Sequence, residues 1–117
     1  MGRRSSTAAG STLTPLMFQI LIAVSEGDRH GYAISQVIDE RTQGAFSIGA
    51  GTLYRAIKQL VDAELMSEIE SDGGHQQRRT YRITAAGRER AAADAQVFRD
   101  IAAWAEEASV GDSEARS

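Results

Sequence analysis

Gly51-Thr52-Leu53-Tyr54-Arg55-Ala56-Ile57-Lys58-Gln59-Leu60 (GTLYRAIKQL) is the stretch whose reading decides the fold. Leu53, Ile57, Leu60 and Val61 recur on one helical stripe, while Thr52, Arg55, Lys58, Gln59 and Asp62 fall on the other side. The spacing predicts a helix over 50–63 with one packed face and one free face. Directly after it, Leu65, Ser67 and Ile69 alternate with Met66, Glu68 and Glu70, which is a strand period. Ser71-Asp72-Gly73-Gly74 is a strong turn signal, and Thr80-Tyr81-Arg82-Ile83 reads as the return strand with Tyr81 and Ile83 inward. A helix followed by a hairpin studded with arginines is the layout of a winged helix.

Upstream, Thr14 offers an N-cap oxygen and Pro15 occupies the first helical position, where its missing N–H costs nothing. Helix one therefore begins there, carries Leu16, Ile20, Leu21 and Val24 with Met17 and Phe18 widening the apolar surface, and stops at Glu26-Gly27-Asp28. Helix two starts near Gly31, carries Tyr32, Ile34, Val37 and Ile38, and ends at Gly44 in the left-handed cap position. Phe46 to Ile48 is either a short strand pair or plain linker. Residues 1–12 have almost nothing to bury and read as a disordered arm.

Downstream, Thr84 caps a long last helix over 85–108, with Ala95, Val97, Phe98, Ile101, Trp104, Ala105 and Ala108 on a broad apolar stripe. Residues 109–117 read as a flexible tail. One small domain, residues 13–84, would cover only part of that stripe. Pairing with helix one or with a second copy would bury the remainder and give a twofold homodimer. The residues expected at that contact are Leu16, Ile20, Val97, Phe98, Ile101, Trp104 and Ala105. The alternative is a helix that folds back on its own domain. The expected class is thus mainly α with a small β-hairpin, a winged helix-turn-helix plus one long C-terminal helix.

The composition limits what such a fold does. Without cysteine there is no disulfide framework, thiol nucleophile or thiolate metal site, and His30 and His75 lack spaced partners, so no metal or cofactor is expected. No Ser, His and Asp set is marked by a motif, and Gly49-Ala50-Gly51-Thr52 lacks the Gly-Lys-Ser/Thr ending of a phosphate loop. An enzyme is not indicated. No apolar run reaches the length of a membrane span and no secretory signal is evident, so a cytoplasmic location fits best. The net charge of −3 hides a segregation. Arg78, Arg79, Arg82, Arg88 and Arg90 dominate residues 75–90, whereas Asp94, Asp100, Glu106, Glu107, Asp112 and Glu114 dominate residues 91–117.

In a three-helix core with a following hairpin, the third helix enters the major groove of double-stranded DNA. That assigns base readout to Thr52, Tyr54 and Arg55, and phosphate anchoring to Lys58, Arg78 and Arg79, with Gln76 and Gln77 on the wing as further contacts. Gly49 and Gly51 leave the helix start uncluttered for a phosphate. The competing reading takes Arg55 and Lys58 as a solvated face, Tyr54 as a half-buried core residue and the hairpin tip as ordinary surface. The alternative function is a winged helix used only for protein interaction, where an acidic net charge is no handicap.

His30 to Ile34 (HGYAI), Ile48 to Leu60 (IGAGTLYRAIKQL), the glycine-rich turn and Arg78 to Glu89 (RRTYRITAAGRE) together resemble the PadR-like family of winged-helix transcriptional regulators. The likeness covers about residues 12–108. With its single C-terminal helix the chain looks like the compact subfamily, in which that helix joins helix one to form the dimer. The resemblance implies a cytoplasmic DNA-binding homodimer, usually a repressor, acting on a pseudo-palindromic operator and responsive to small molecules. It also implies a site for a flat aromatic effector at the dimer interface. Phe98 holds the matching place, with Ile101 beside it and Trp104 further along; the other reading of these residues is dimer core. Two positions depart from the family pattern. Ala50 stands where many relatives have proline, and Glu64 where relatives have the glycine that ends helix three, a left-handed position costing a non-glycine residue on the order of 1 kcal/mol.

Overall fold

The computed structural model describes residues 12–71 and 79–116. Among the described residues four helices and three short strands are arranged in the order α1 (Pro15–Ser25), β1 (Arg29–His30), α2 (Gly31–Arg41), α3 (Ala50–Asp62), β2 (Met66–Ser71), β3 (Arg79–Ile83) and α4 (Ala85–Arg116). The Thr14 hydroxyl accepts the Met17 N–H at 3.1 Å and Pro15 opens α1, so the local chemistry that starts this helix is the one its sequence announces.

The core is a single cluster. Ile20, Leu21 and Val24 of α1, Ile34 and Ile38 of α2, Leu53, Ile57 and Leu60 of α3, and Met66, Tyr81 and Ile83 of the hairpin are all buried. Ile20 has no exposed surface, which removes it from the expected dimer contact: its stripe on α1 faces its own domain. Tyr81 and Ile83 point inward as their alternation requires, opposite Glu68 and Met66 respectively.

The sheet has three strands, in the order β1-β3-β2, and not only the two of a hairpin. Arg29 pairs with Tyr81 and His30 with Thr80, all pairings being antiparallel. A shift in register between Glu68 and Glu70 leaves Ile69 unpaired against β3, and its side chain is 37% exposed. Arg82 holds Asp28 with both donors of its fork, at 3.2 Å and 2.8 Å, and so fastens the turn before β1 to β3. That bond holds the Asp28 carboxyl below its ordinary range.

Both helices that lead into linkers end in the same motif. After α2 the Gly44 N–H bonds the Asp39 carbonyl and the Gln43 N–H the Glu40 carbonyl, with Gln43 itself at φ 53. The helix thus ends before Gly44: Gln43 takes the cap position expected of the glycine, and Gly44 follows it in the left-handed region as well, at φ 84. Phe46 to Ile48 is linker. After α3 the Leu65 N–H bonds the Leu60 carbonyl and the Glu64 N–H that of Val61, with Glu64 at φ 64. Glu64 therefore does occupy the left-handed cap, and the hydroxyl of Thr84 donates to its carbonyl at 2.8 Å.

The helix α4 runs to Arg116, past the end expected at Ala108. Its first half folds against α1: the rings of Phe18 and Phe98 lie 4.7 Å apart, and Ala91 packs on the core. Asp94, counted in the sequence among the acidic surface residues, is buried and accepts the Leu13 N–H at 2.8 Å and Arg90 Nε at 3.3 Å. Beyond that point Val97, Ile101 and Trp104 stand 38%, 48% and 71% exposed.

Candidate nucleic-acid interface

The open surface of α3 follows from its pattern. Leu53, Ala56, Ile57 and Leu60 are buried against α1, α2 and the hairpin, which turns Thr52, Arg55, Lys58 and Gln59 to solvent. Arg55 forms no ion pair among the described residues, whereas Lys58 reaches Asp62 one turn on at 3.1 Å. The N-cap of α3 is Gly49, which has no side chain to close the first turn. A Cβ placed on Gly49 or on Gly51 would meet nothing within 4 Å. Neither glycine has a positive φ, so no internal contact or backbone angle demands either.

Tyr54 departs from its expected place on this face. Its ring turns inward against Gly31, the first residue of α2, and any side chain on Gly31 would overlap the phenol. The Tyr54 hydroxyl is buried without a hydrogen-bond partner, and burial pushes its pKa above the ordinary value while the Arg79 guanidinium pulls it partly back. The residue lies between the two stripes of α3, and Gly31 is what opens the gap that admits it. A base contact from the Tyr54 hydroxyl is therefore ruled out in this arrangement; Thr52 and Arg55 remain on the open side.

Tyr32 takes the opposite course. Grouped by periodicity with the apolar residues of α2, it is 61% exposed. It stands with Ser35 on one wall of a cleft of about 800 Å³, with Ala50, Gly51 and Tyr54 on the other. The signal that finds it is its place in His30-Gly31-Tyr32, in the first turn of α2, where a side chain projects before the core stripe begins.

On the hairpin, Arg79 shares the face of Tyr81 and lies half-buried, with Nε 3.7 Å from Glu68 and a small cavity separating it from Tyr54, Lys58 and Val61 of α3. It stands at the root of the wing beside α3 and not at a free tip. Burial raises the Tyr81 phenol, and Glu68 adds to that effect. Gln76, Gln77 and Arg78 lie outside the described residues. The structure thus brings Thr52, Arg55, Lys58 and Arg79 to one side of the domain and leaves Phe98, Ile101 and Trp104 on α4, away from it.

Among the described residues no helix is long and apolar enough to cross a membrane, and no group of three or more His, Asp or Glu side chains could hold a metal ion. The fold is shared with known proteins. A transcriptional regulator from Clostridium thermocellum superposes with a TM-score of 0.70 at 21% identity, over 92% of this chain and 96% of that one. Bacillus subtilis PadR, solved in complex with operator DNA, superposes with a TM-score of 0.56 at 22% identity, over 65% of this chain and 44% of that one. In sequence, an uncharacterized protein X of Lysinibacillus sphaericus is 42% identical over 72 residues, and the match spans 59% of this chain and 64% of that relative. Residues 20–93, from the buried Ile20 through α3 and the hairpin to the first half of α4, match a single family description, and the chain belongs to the transcriptional regulator PadR-like family.

Proposed function

We propose that this regulator is a sequence-specific DNA-binding repressor that acts as a homodimer on a pseudo-palindromic operator. The observation that carries the proposal is the open face of α3, where Thr52 and Arg55 are exposed beside an uncapped first turn that no side chain fills. A helix presented in this way enters the major groove with its N-terminal residues at the base edges. Arg55 is suited to the two acceptors of guanine and Thr52 to a smaller contact. Lys58 and Arg79, with Gln76, Gln77 and Arg78 of the sequence between β2 and β3, supply phosphate anchoring. The operator complex of Bacillus subtilis PadR supports this use of the fold. A cytoplasmic location is where such a protein meets its DNA.

One copy reads one half-site, so the function needs a pair. The exposed Val97, Ile101, Trp104 and Ala105 on α4, with the half-buried Leu16 and Phe98 beside them, form the apolar surface that a second copy would cover. Half-sites then fall about 34 Å apart. Phe98 keeps one side of its ring against Phe18, and Ile101 lies one turn further, so a flat aromatic effector would enter at the edge of this surface and quench Trp104.

The decisive experiment is binding to a duplex selected from random sequence, titrated at several salt concentrations. Wild-type affinity should fall steeply with salt, and Arg55→Ala should weaken the selected duplex about tenfold or more, the scale of one lost bidentate base contact. Absence of any salt-dependent binding would leave the fold as a protein-interaction module. Sedimentation of Trp104→Glu tests the pair: a stable dimer from that variant would remove α4 from the interface.

A further inference from the structure

The two described side chains assigned to phosphate anchoring each stand beside a carboxylate. Lys58 Nζ lies 3.1 Å from Asp62, and Arg79 Nε lies 3.7 Å from Glu68. Arg55, the residue assigned to a base, has no acidic partner among the described residues. The division separates the two kinds of contact. Lys58 and Arg79, the described cations that would meet any phosphodiester backbone, each have a carboxylate beside them, and Arg55, which would read sequence, has none among the described residues.

We infer that Asp62 and Glu68 act as intramolecular competitors for the DNA backbone, a built-in brake on sequence-independent binding; this rests on the DNA-binding reading above. A phosphate approaching Lys58 or Arg79 must displace a carboxylate or share the cation with it, and it also meets the negative charge that stays behind. Among the described residues neither carboxylate has a hydrogen bond or ion pair beyond these contacts. The Lys58–Asp62 side chains are 74% and 63% exposed, and the Arg79–Glu68 pair is too long for a hydrogen bond, with Arg79 Nε buried and without a hydrogen-bond partner among the described residues. An exposed pair such as Lys58–Asp62 contributes little to stability, and the long Arg79–Glu68 contact is not a hydrogen bond, so the place of both acids beside the α3 and wing-root cations asks for another reason.

The consequence is a matter of specificity. Backbone contacts supply essentially all of non-specific affinity, and a genome offers an enormous excess of competing sites. Weakening the anchors lowers occupancy of all of them, and base readout through Arg55 and Thr52 then decides where the protein rests. Specificity is reached here by reducing what every sequence offers equally.

The test uses the full chain and a random-sequence duplex, with affinity measured by anisotropy across a salt series. Asp62→Asn and Glu68→Gln should each tighten binding about twofold to fivefold, the range exposed ion pairs span, and should steepen the log–log salt dependence by about 1 for each anchor released. Glu106→Gln makes the same change in net charge on the exposed face of α4 and should leave the slope unaltered. Adding Arg79→Ala to Glu68→Gln should abolish the gain. Thermal melts establish that each variant folds. If wild type binds DNA but the two neutralised variants match it in affinity and slope, or bind more weakly, the inference is overturned and the function stands. If wild type shows no salt-dependent binding, the function itself fails.

Discussion

Gly51 in the first turn of α3 and Gly87 in the first turn of α4 are alike in the sequence, and the fold uses them in opposite ways. A Cβ on Gly87 would collide with the Leu65 carbonyl oxygen and lie 2.8 Å from Ile83 Cγ1. One on Gly51 would meet nothing. The surroundings agree with the glycines. The Gly87 N–H donates to the Thr84 hydroxyl at 3.0 Å, that hydroxyl donates to the Glu64 carbonyl, and the Thr84 N–H bonds Leu65. The start of α4 is thereby joined to the end of α3 and the root of the hairpin. The start of α3 has no side-chain cap. One turn ties its backbone groups to the fold, and the other has no side-chain partner among the described residues.

The largest effect should come from Gly87→Ala. Here a methyl group meets a main-chain carbonyl, which cannot move aside as a side-chain end can. Overpacking of this kind costs about 3 kcal/mol. A domain of this size should then melt about 10 °C lower. Thermal denaturation followed by circular dichroism measures it, and a melt within about 2 °C of wild type would mean that α4 leaves the hairpin readily.

Asp94→Ala should rank next. Its carboxylate receives the Leu13 N–H across 81 residues of sequence and so holds the segment before α1 on α4. Removal leaves a buried donor without an acceptor, at a cost of about 1 to 3 kcal/mol. Asp94→Asn keeps an acceptor in the same place and should lose less. If the two variants melt together, the bond to Leu13 is not what the residue supplies.

These residues also mark how far the sequence could be read. Features set by neighbours along the chain were legible: the Thr14-Pro15 start of α1, the Leu53, Ile57 and Leu60 stripe, the inward Tyr81 and Ile83 and the Thr84 cap; the left-handed Glu64 was legible only through the family resemblance. Features set by distant neighbours were not. The strand β1 is two residues long and exists only because β3 offers an edge. Asp94 looks like any acid on an amphipathic helix until Leu13 arrives. Tyr54 turns inward because Gly31, in another helix, leaves space for its ring. Periodicity placed the open face of α3 correctly, but it could not show that Asp62 and Glu68 sit on the cations of that face.

Gly51→Ala tests the open half of the comparison. Alanine in place of an unconstrained helical glycine should raise stability by about 0.5 to 1 kcal/mol, so the melt should move up by roughly 2 to 4 °C. On the proposed DNA-binding reading, affinity should move the other way, because the added methyl would stand in the path of a phosphate or base edge. Both readings are needed. A more stable protein with unchanged affinity would show that nothing approaches the first turn of α3 closely.

The smallest expected effect concerns a cation that the fold has consumed. Arg82 grips both oxygens of Asp28, and its bond lowers the Asp28 pKa below the ordinary value of 3.8. With the folded value depressed, the stabilisation is complete above the ordinary carboxylate range and is lost as pH falls through the lowered folded value. The pair is exposed, so the change should appear in the Asp28 carboxyl titration, followed by NMR, before it registers in a melt. Arg82→Gln should return that midpoint to the ordinary range. Because Asp28 holds two donors of Arg82 at once, unlike the single contacts of Lys58 and Arg79, the same variant should leave the salt dependence of DNA binding nearly unchanged, whereas Arg55→Ala should not. Equal losses from the two variants would place Arg82 on the interface and merge the two classes of arginine into one.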